Sequence, residues 1–84
     1  MPTVMLLKGW RFFFYSNEND EPIHIHCKRG DQEAKFWLLP DVFDIEEAFS
    51  YRLNGADRRF LREALFSHFD YLVNEWESFM GGKK

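Results

Sequence analysis

The stretch Ile23-His24-Ile25-His26-Cys27-Lys28 alternates strictly between two sets of side chains, and a period of two is the signature of a β-strand. Ile23, Ile25 and Cys27 project to one face, and His24, His26 and Lys28 to the other. Downstream, Arg29-Gly30-Asp31 reads as a turn and Glu33 to Leu38 alternates again. That predicts a hairpin pairing the histidine strand with Ala34-Lys35-Phe36-Trp37-Leu38. Upstream, Val4 to Leu7 and Trp10 to Tyr15 are strand material separated by the turn signal Lys8-Gly9, which predicts a further hairpin. Ser16 to Pro22 forms a polar, acidic loop that Pro22 ends by holding Glu21 extended.

Asp41 to Tyr51 reads two ways: as a fifth, edge strand, or, from Asp44-Ile45-Glu46-Glu47, as the cap and box of a short helix. Strand is slightly preferred. Beyond it, Asn54-Gly55-Ala56-Asp57 has the form of an N-cap with a carboxylate three residues on, and Leu61, Leu65, Phe69, Leu72, Trp76 and Phe79 recur at helical spacing. The spacing predicts one long helix over about residues 55–80, stopped by Gly81-Gly82 and ending in Lys83-Lys84, whose charge suits a helix C-terminus. Phe60 and Tyr71 fall outside its apolar stripe, where they either lie flat along the helix or mark an oligomer or partner contact. The expected fold is α+β, an antiparallel four- to five-stranded sheet over about residues 4–46 packed against one long C-terminal helix. It forms a single domain, because 84 residues do not supply a second core.

Composition narrows the function. Ten Phe, three Trp and three Tyr give sixteen rings, 19% of the chain, more than one small core needs. The single Cys27 forms no internal disulfide, and Cys-rich zinc frameworks are excluded. No apolar run approaches the ~18 residues that mark a membrane span. Met1 to Lys8 is too short and too soon interrupted for a secretory signal, so the expected location is cytoplasmic. A net charge of −3 gives no support for a general nucleic-acid binder. No nucleophile elbow, phosphate loop, dinucleotide fingerprint or zinc-protease motif is present, and no cofactor is implied.

Two constellations carry chemistry. On the sheet, alternation sets Arg11, Phe13, Tyr15, His24, His26, Lys35 and Trp37 on the face opposite the helix, as a mixed surface of rings and cations. Such a face suits a protein interface. It also suits single-stranded RNA gripped by stacking and phosphate contacts. A metal-independent ribonuclease needs a base, an acid and a cation, which His24, His26, Arg11 and Lys35 supply in kind. The histidines are a weak metal candidate, because two ligands fall short of the three or four of a zinc site. The plainest reading leaves them half-exposed on the solvent face. The second constellation is Arg58, Arg59 and Arg62 at the start of the helix, with Arg52 just before them. They are a candidate site for a phosphate or an acidic partner, unless neighbouring carboxylates neutralise them.

The run Gly9-Trp10-Arg11-Phe12-Phe13-Phe14-Tyr15-Ser16-Asn17-Glu18, followed by Glu21-Pro22-Ile23-His24-Ile25-His26, by Ala34-Lys35-Phe36-Trp37-Leu38 and by a terminal helix ending near Trp76, resembles the bacterial domain-of-unknown-function family 4160. Cys27 stands where an aliphatic residue is more usual in that family, so the resemblance assigns it no metal role. It implies no established activity or cofactor. It does imply a toxin–antitoxin-like pair, in which the partner is a small protein encoded by a neighbouring gene. A homo-oligomer is the alternative partner, and RNA stays open.

Overall fold

The computed structural model describes residues 3–15 and 21–81. Five strands, β1 (Thr3–Leu7), β2 (Trp10–Phe13), β3 (His24–Arg29), β4 (Gln32–Leu39) and β5 (Asp44–Tyr51), form one antiparallel sheet in sequence order, which places the histidine strand at its centre. Lys8 and Gly9 both have positive φ, 51° and 83°, the requirement of a two-residue turn whose twist matches its strands. Residues 16–20 of the acidic loop, and the Gly82-Lys83-Lys84 end of the chain, lie outside the described residues.

The sheet runs on to Tyr51 rather than stopping near residue 46, because Asp41 to Tyr51 does not open a helix. Residues 40–43 turn, and β5 pairs with β4 along its length, from Leu39 opposite Asp44 to Glu33 opposite Tyr51. The Asp44 side chain accepts from the next residue's N–H, Ile45 at 2.8 Å, so it does not cap a helix. The register slips at Ala48, with Phe36 opposite Glu47 but Lys35 opposite Phe49. This bulge breaks the alternation of β5. Ile45, Glu47 and Ser50 therefore share one face, and Glu46, Phe49 and Tyr51 the other.

The single long helix is corrected to two: α1 (Gly55–Ser67) and α2 (Phe69–Trp76), the second continuing into a π-helical turn, Glu77–Gly81. His68, at φ −115° and ψ 23°, leaves the helical region between them. Backbone bonding carries across the bend, since His68 N–H donates to the Ala64 carbonyl at 3.1 Å and Leu72 N–H to the His68 carbonyl at 2.9 Å. Across the bend Leu61, Leu65, Phe69, Leu72 and Trp76 stay buried, whereas Phe79, expected on the same stripe, is 40% exposed. Asn54 is the N-cap, its side chain accepting from Asp57 N–H at 2.7 Å. Asp57 in turn accepts from Arg29 and Gln32, which ties the helix start to the β3–β4 hairpin.

The core lies between the helices and the sheet face that carries Trp10, Phe12, Ile25, Cys27, Ala34, Phe36, Leu38 and Ile45. Burial there pushes the Cys27 thiol pKa far above its ordinary value. Among the described residues no helix is long and apolar enough to cross a membrane.

Candidate functional site

The opposite sheet face is built by β2, β3 and β4 through their pleat and register. Phe13 stands opposite His26, His26 opposite Lys35, and His24 opposite Trp37. All seven residues expected on this face meet there. The Arg11 guanidinium lies 4.5 Å from the Phe13 ring centre, Phe13 stacks on His26 at 5.4 Å, and His26 meets His24 edge-on at 5.1 Å. His24 meets Trp37 at 5.5 Å, and the Lys35 ammonium sits 4.5 Å above Trp37. The chain of contacts thus runs cation, ring, imidazole, imidazole, ring, cation across three strands. Tyr15 adds an edge-on contact to His26 at 4.7 Å.

The histidines are not half-exposed. His24 and His26 are 0% and 5% exposed, and Phe13 is buried with them. Rings from both sides cause this: Trp76, arriving from the end of α2, packs 4.9 Å from His24, while Phe13 and Tyr15 pack on His26. The His24 Nδ1–H donates to the Pro22 carbonyl at 2.8 Å, so the proton sits on Nδ1 in the neutral ring. Glu21 lies beside the pair, accepting from Lys35 at 3.1 Å. A phosphodiester has little direct access to imidazoles held this way. The side chains that reach the surface are Tyr15 and, in part, Arg11, Lys35 and Trp37. Among the described residues no group of three or more His, Cys, Asp or Glu is placed to hold a metal ion.

The arginine constellation divides. Arg58 donates to Glu47 at 2.8 Å and to the Ser50 hydroxyl at 3.1 Å, across the gap between α1 and β5. Arg52 pairs with Asp31 at 3.5 Å and lies over Tyr51. Arg59 and Arg62 have no carboxylate within ion-pair distance among the described residues. With Arg58 and Phe66 they line an open cleft of about 680 Å³.

Residues 9–77 match the family described as Domain of unknown function (DUF4160). The chain belongs to this family. The DUF4160 match takes in β2 to β5 and both helices, hence the whole ring-and-cation face, and leaves out β1. No curated protein and no solved structure matches the chain.

Two rings of this DUF4160 face escape a reading of the sequence. Phe49 and Tyr51, opposite Lys35 and Glu33, are both exposed on it. The spacing Phe49-Ser50-Tyr51 was the available signal, obscured because the bulge at Ala48 breaks the alternation before it. Phe60 and Tyr71, read either as lying along the helix or as marking a partner contact, both make contacts within the chain. Phe60 packs against the core, and the Tyr71 hydroxyl donates to the Val4 carbonyl of β1 at 2.7 Å.

Proposed function

We propose that this protein is a protein-interaction module, one half of a toxin–antitoxin-like pair, whose open sheet face receives a small protein encoded by a neighbouring gene. The observation that carries this is a row of exposed rings, Tyr15, Phe49 and Tyr51, flanking half-buried Trp37, Arg11 and Lys35 on the face away from both helices. Tyr, Trp and Arg are the residue types that dominate binding energy at protein interfaces. The buried Phe13, His26 and His24 form a rigid floor beneath them, so little ordering entropy is lost on docking. The setting is cytoplasmic, where a lone thiol stays reduced.

Co-expression with the product of the adjacent gene tests the reading. The expected result is one complex on gel filtration, lost when Phe49→Asp and Tyr51→Asp are combined in a variant that still folds. Separate elution of the two proteins at all concentrations overturns it. Single-stranded RNA is the competing occupant of the same face. Against it, Arg11 and Lys35 already lie flat on rings and the chain carries net −3. Salt-sensitive RNA binding that the same double variant abolishes would favour RNA instead.

A further inference from the structure

The sheet ends in two edge strands, β1 and β5, and the two edges differ. A free edge presents unpaired N–H and C=O groups, and proteins close such edges with charge, bulges or cover. β5 is closed by all three. It carries Asp44, Glu46 and Glu47, its register slips at Ala48, and Arg58 of α1 reaches Glu47 at 2.8 Å. The Asp44 carboxylate also takes the Ile45 N–H at 2.8 Å. β1, Thr3-Val4-Met5-Leu6-Leu7, has no charged side chain. Its own register slip lies at Val4, and from Met5 to Leu7 its pairing with β2 is regular.

The Lys8-Gly9 turn fixes which main-chain groups of β1 are spare. Leu7 and Trp10 close that two-residue turn and bond to each other, and pairs along an antiparallel ladder alternate between bonded and non-bonded. Leu6 and Arg11 form the next pair, so the Leu6 N–H and C=O point away from β2, off the edge of the sheet. The Leu6 side chain shares the face of Arg11 and is 72% exposed, the highest value of any large apolar residue among those described. On the helix side Tyr71, 45% exposed, reaches β1 from α2 through its bond to the Val4 carbonyl. The spare hydrogen-bonding groups thus lie on a strand flanked by exposed Leu6 on the ring-bearing face and exposed Tyr71 on the other.

What fits this edge is an extended, uncharged strand with a free edge of its own, and β1 of a second copy is such a strand. Set antiparallel about a two-fold axis at Leu6, the two strands exchange both bonds of one pair, the Leu6 N–H of each donating to the Leu6 carbonyl of the other. The same pairing lays the two Leu6 side chains side by side and takes them out of water. We infer that two copies of this chain associate edge to edge through β1, joining their five-stranded sheets into one continuous sheet. The cations nearest Leu6 in the sheet do not oppose this. The Arg11 strands of the two copies stand three strand spacings apart, about 14 Å, beyond the screening length of about 8 Å at physiological salt, and the two Lys8 residues lie at opposite ends of the pair. The inference uses none of Tyr15, Phe49 and Tyr51, and the last two lie on β5 at the far edge, so it stands whether or not the ring-bearing face binds a partner.

Sedimentation velocity of the full chain alone over a concentration series is the test, joined to amide hydrogen exchange, with circular dichroism as the check on folding. The contact is small, so a concentration-dependent monomer–dimer equilibrium is expected. Exchange of the Leu6 amide should slow by at least about tenfold from the monomeric to the dimeric end of the series. Leu6→Lys puts a charge on the edge, and Leu6→Pro removes the spare N–H without touching the β1–β2 ladder, both being changes that edge strands accept. Each should raise the dimer dissociation constant by at least about tenfold. A native chain that stays monomeric at all concentrations overturns the inference. So does a dimer that both variants leave intact, or one in which the Leu6 amide exchanges as fast as in the monomer. Protection of Leu6 that appears only when the product of the adjacent gene is added also overturns it, and assigns the edge to a strand of that protein.

Discussion

Phe13 and His26 stack ring on ring across adjacent strands, 5.4 Å apart and 18° from parallel, and both are buried although the helices lie on the other side of the sheet. The molecule therefore buries rings on both faces of its sheet: the large core under the helices, and a smaller cluster that seats the candidate interaction surface.

Truncating Phe13 should be felt as a core substitution. Phe13→Ala removes a buried ring that touches Arg11, Tyr15 and His26, and such changes cost about 3–5 kcal/mol. Urea denaturation should show a loss of this size, with the slope of the transition unchanged. A loss of less than about 1 kcal/mol, typical of surface sites, would show that the cluster is not packed.

The Glu47–Arg58 pair should leave a mark on the pH dependence of stability. The hydrogen bond from Arg58 holds the Glu47 carboxyl below the usual carboxylate range, assisted by Ser50 and by the charges of Arg58 and Arg62, and opposed by burial. A pKa lowered in the folded state contributes stability above the unfolded value of about 4.3, and that contribution fades as pH falls through the lowered folded value. Thermal melts of native protein and Glu47→Gln should differ slightly at pH 7 and converge toward pH 3. The difference is small because both side chains are partly in water. A gap that widens on acidification would contradict the sign.

Cys27 should be chemically silent in the folded protein. It is fully buried in the core, and burial raises its thiol pKa, which removes the thiolate that reacts. Labelling with a thiol reagent at pH 8 should run at least about a thousandfold slower than in urea, reporting rare opening of the fold. Fast labelling of the native protein would mean that the core face opens locally.

The Tyr71 hydroxyl should hold β1 in place. Tyr71→Phe removes its bond to the Val4 carbonyl, a change of about 0.5–1.5 kcal/mol. The effect should localise, with faster amide hydrogen exchange in β1 and little change in β3 and β4. Uniform acceleration across the sheet would assign the bond a global role.

The sequence by itself determined the first four strands of the sheet and seven members of its outer face, and left Asp41 to Tyr51 open between strand and helix. Strand side chains alternate by local backbone geometry, so Trp10 to Tyr15, Ile23 to Lys28 and Glu33 to Leu38 were enough to set Arg11, Phe13, Tyr15, His24, His26, Lys35 and Trp37 together. The Asn54 cap was legible for the same reason, since it joins groups three residues apart. Exposure was decided elsewhere. His24 and His26 are buried because Phe13, Tyr15, Trp37 and Trp76 converge on them from three other elements, and no spacing within β3 encodes that. Arg58 meets Glu47 only once α1 lies along β5. Phe49 and Tyr51 join the ring-bearing face only through the extra residue at Ala48. The bend at His68 has no proline or glycine to announce it. Local periodicity sets which way a side chain points, whereas what covers it depends on residues distant in sequence, and only the assembled fold brings those together.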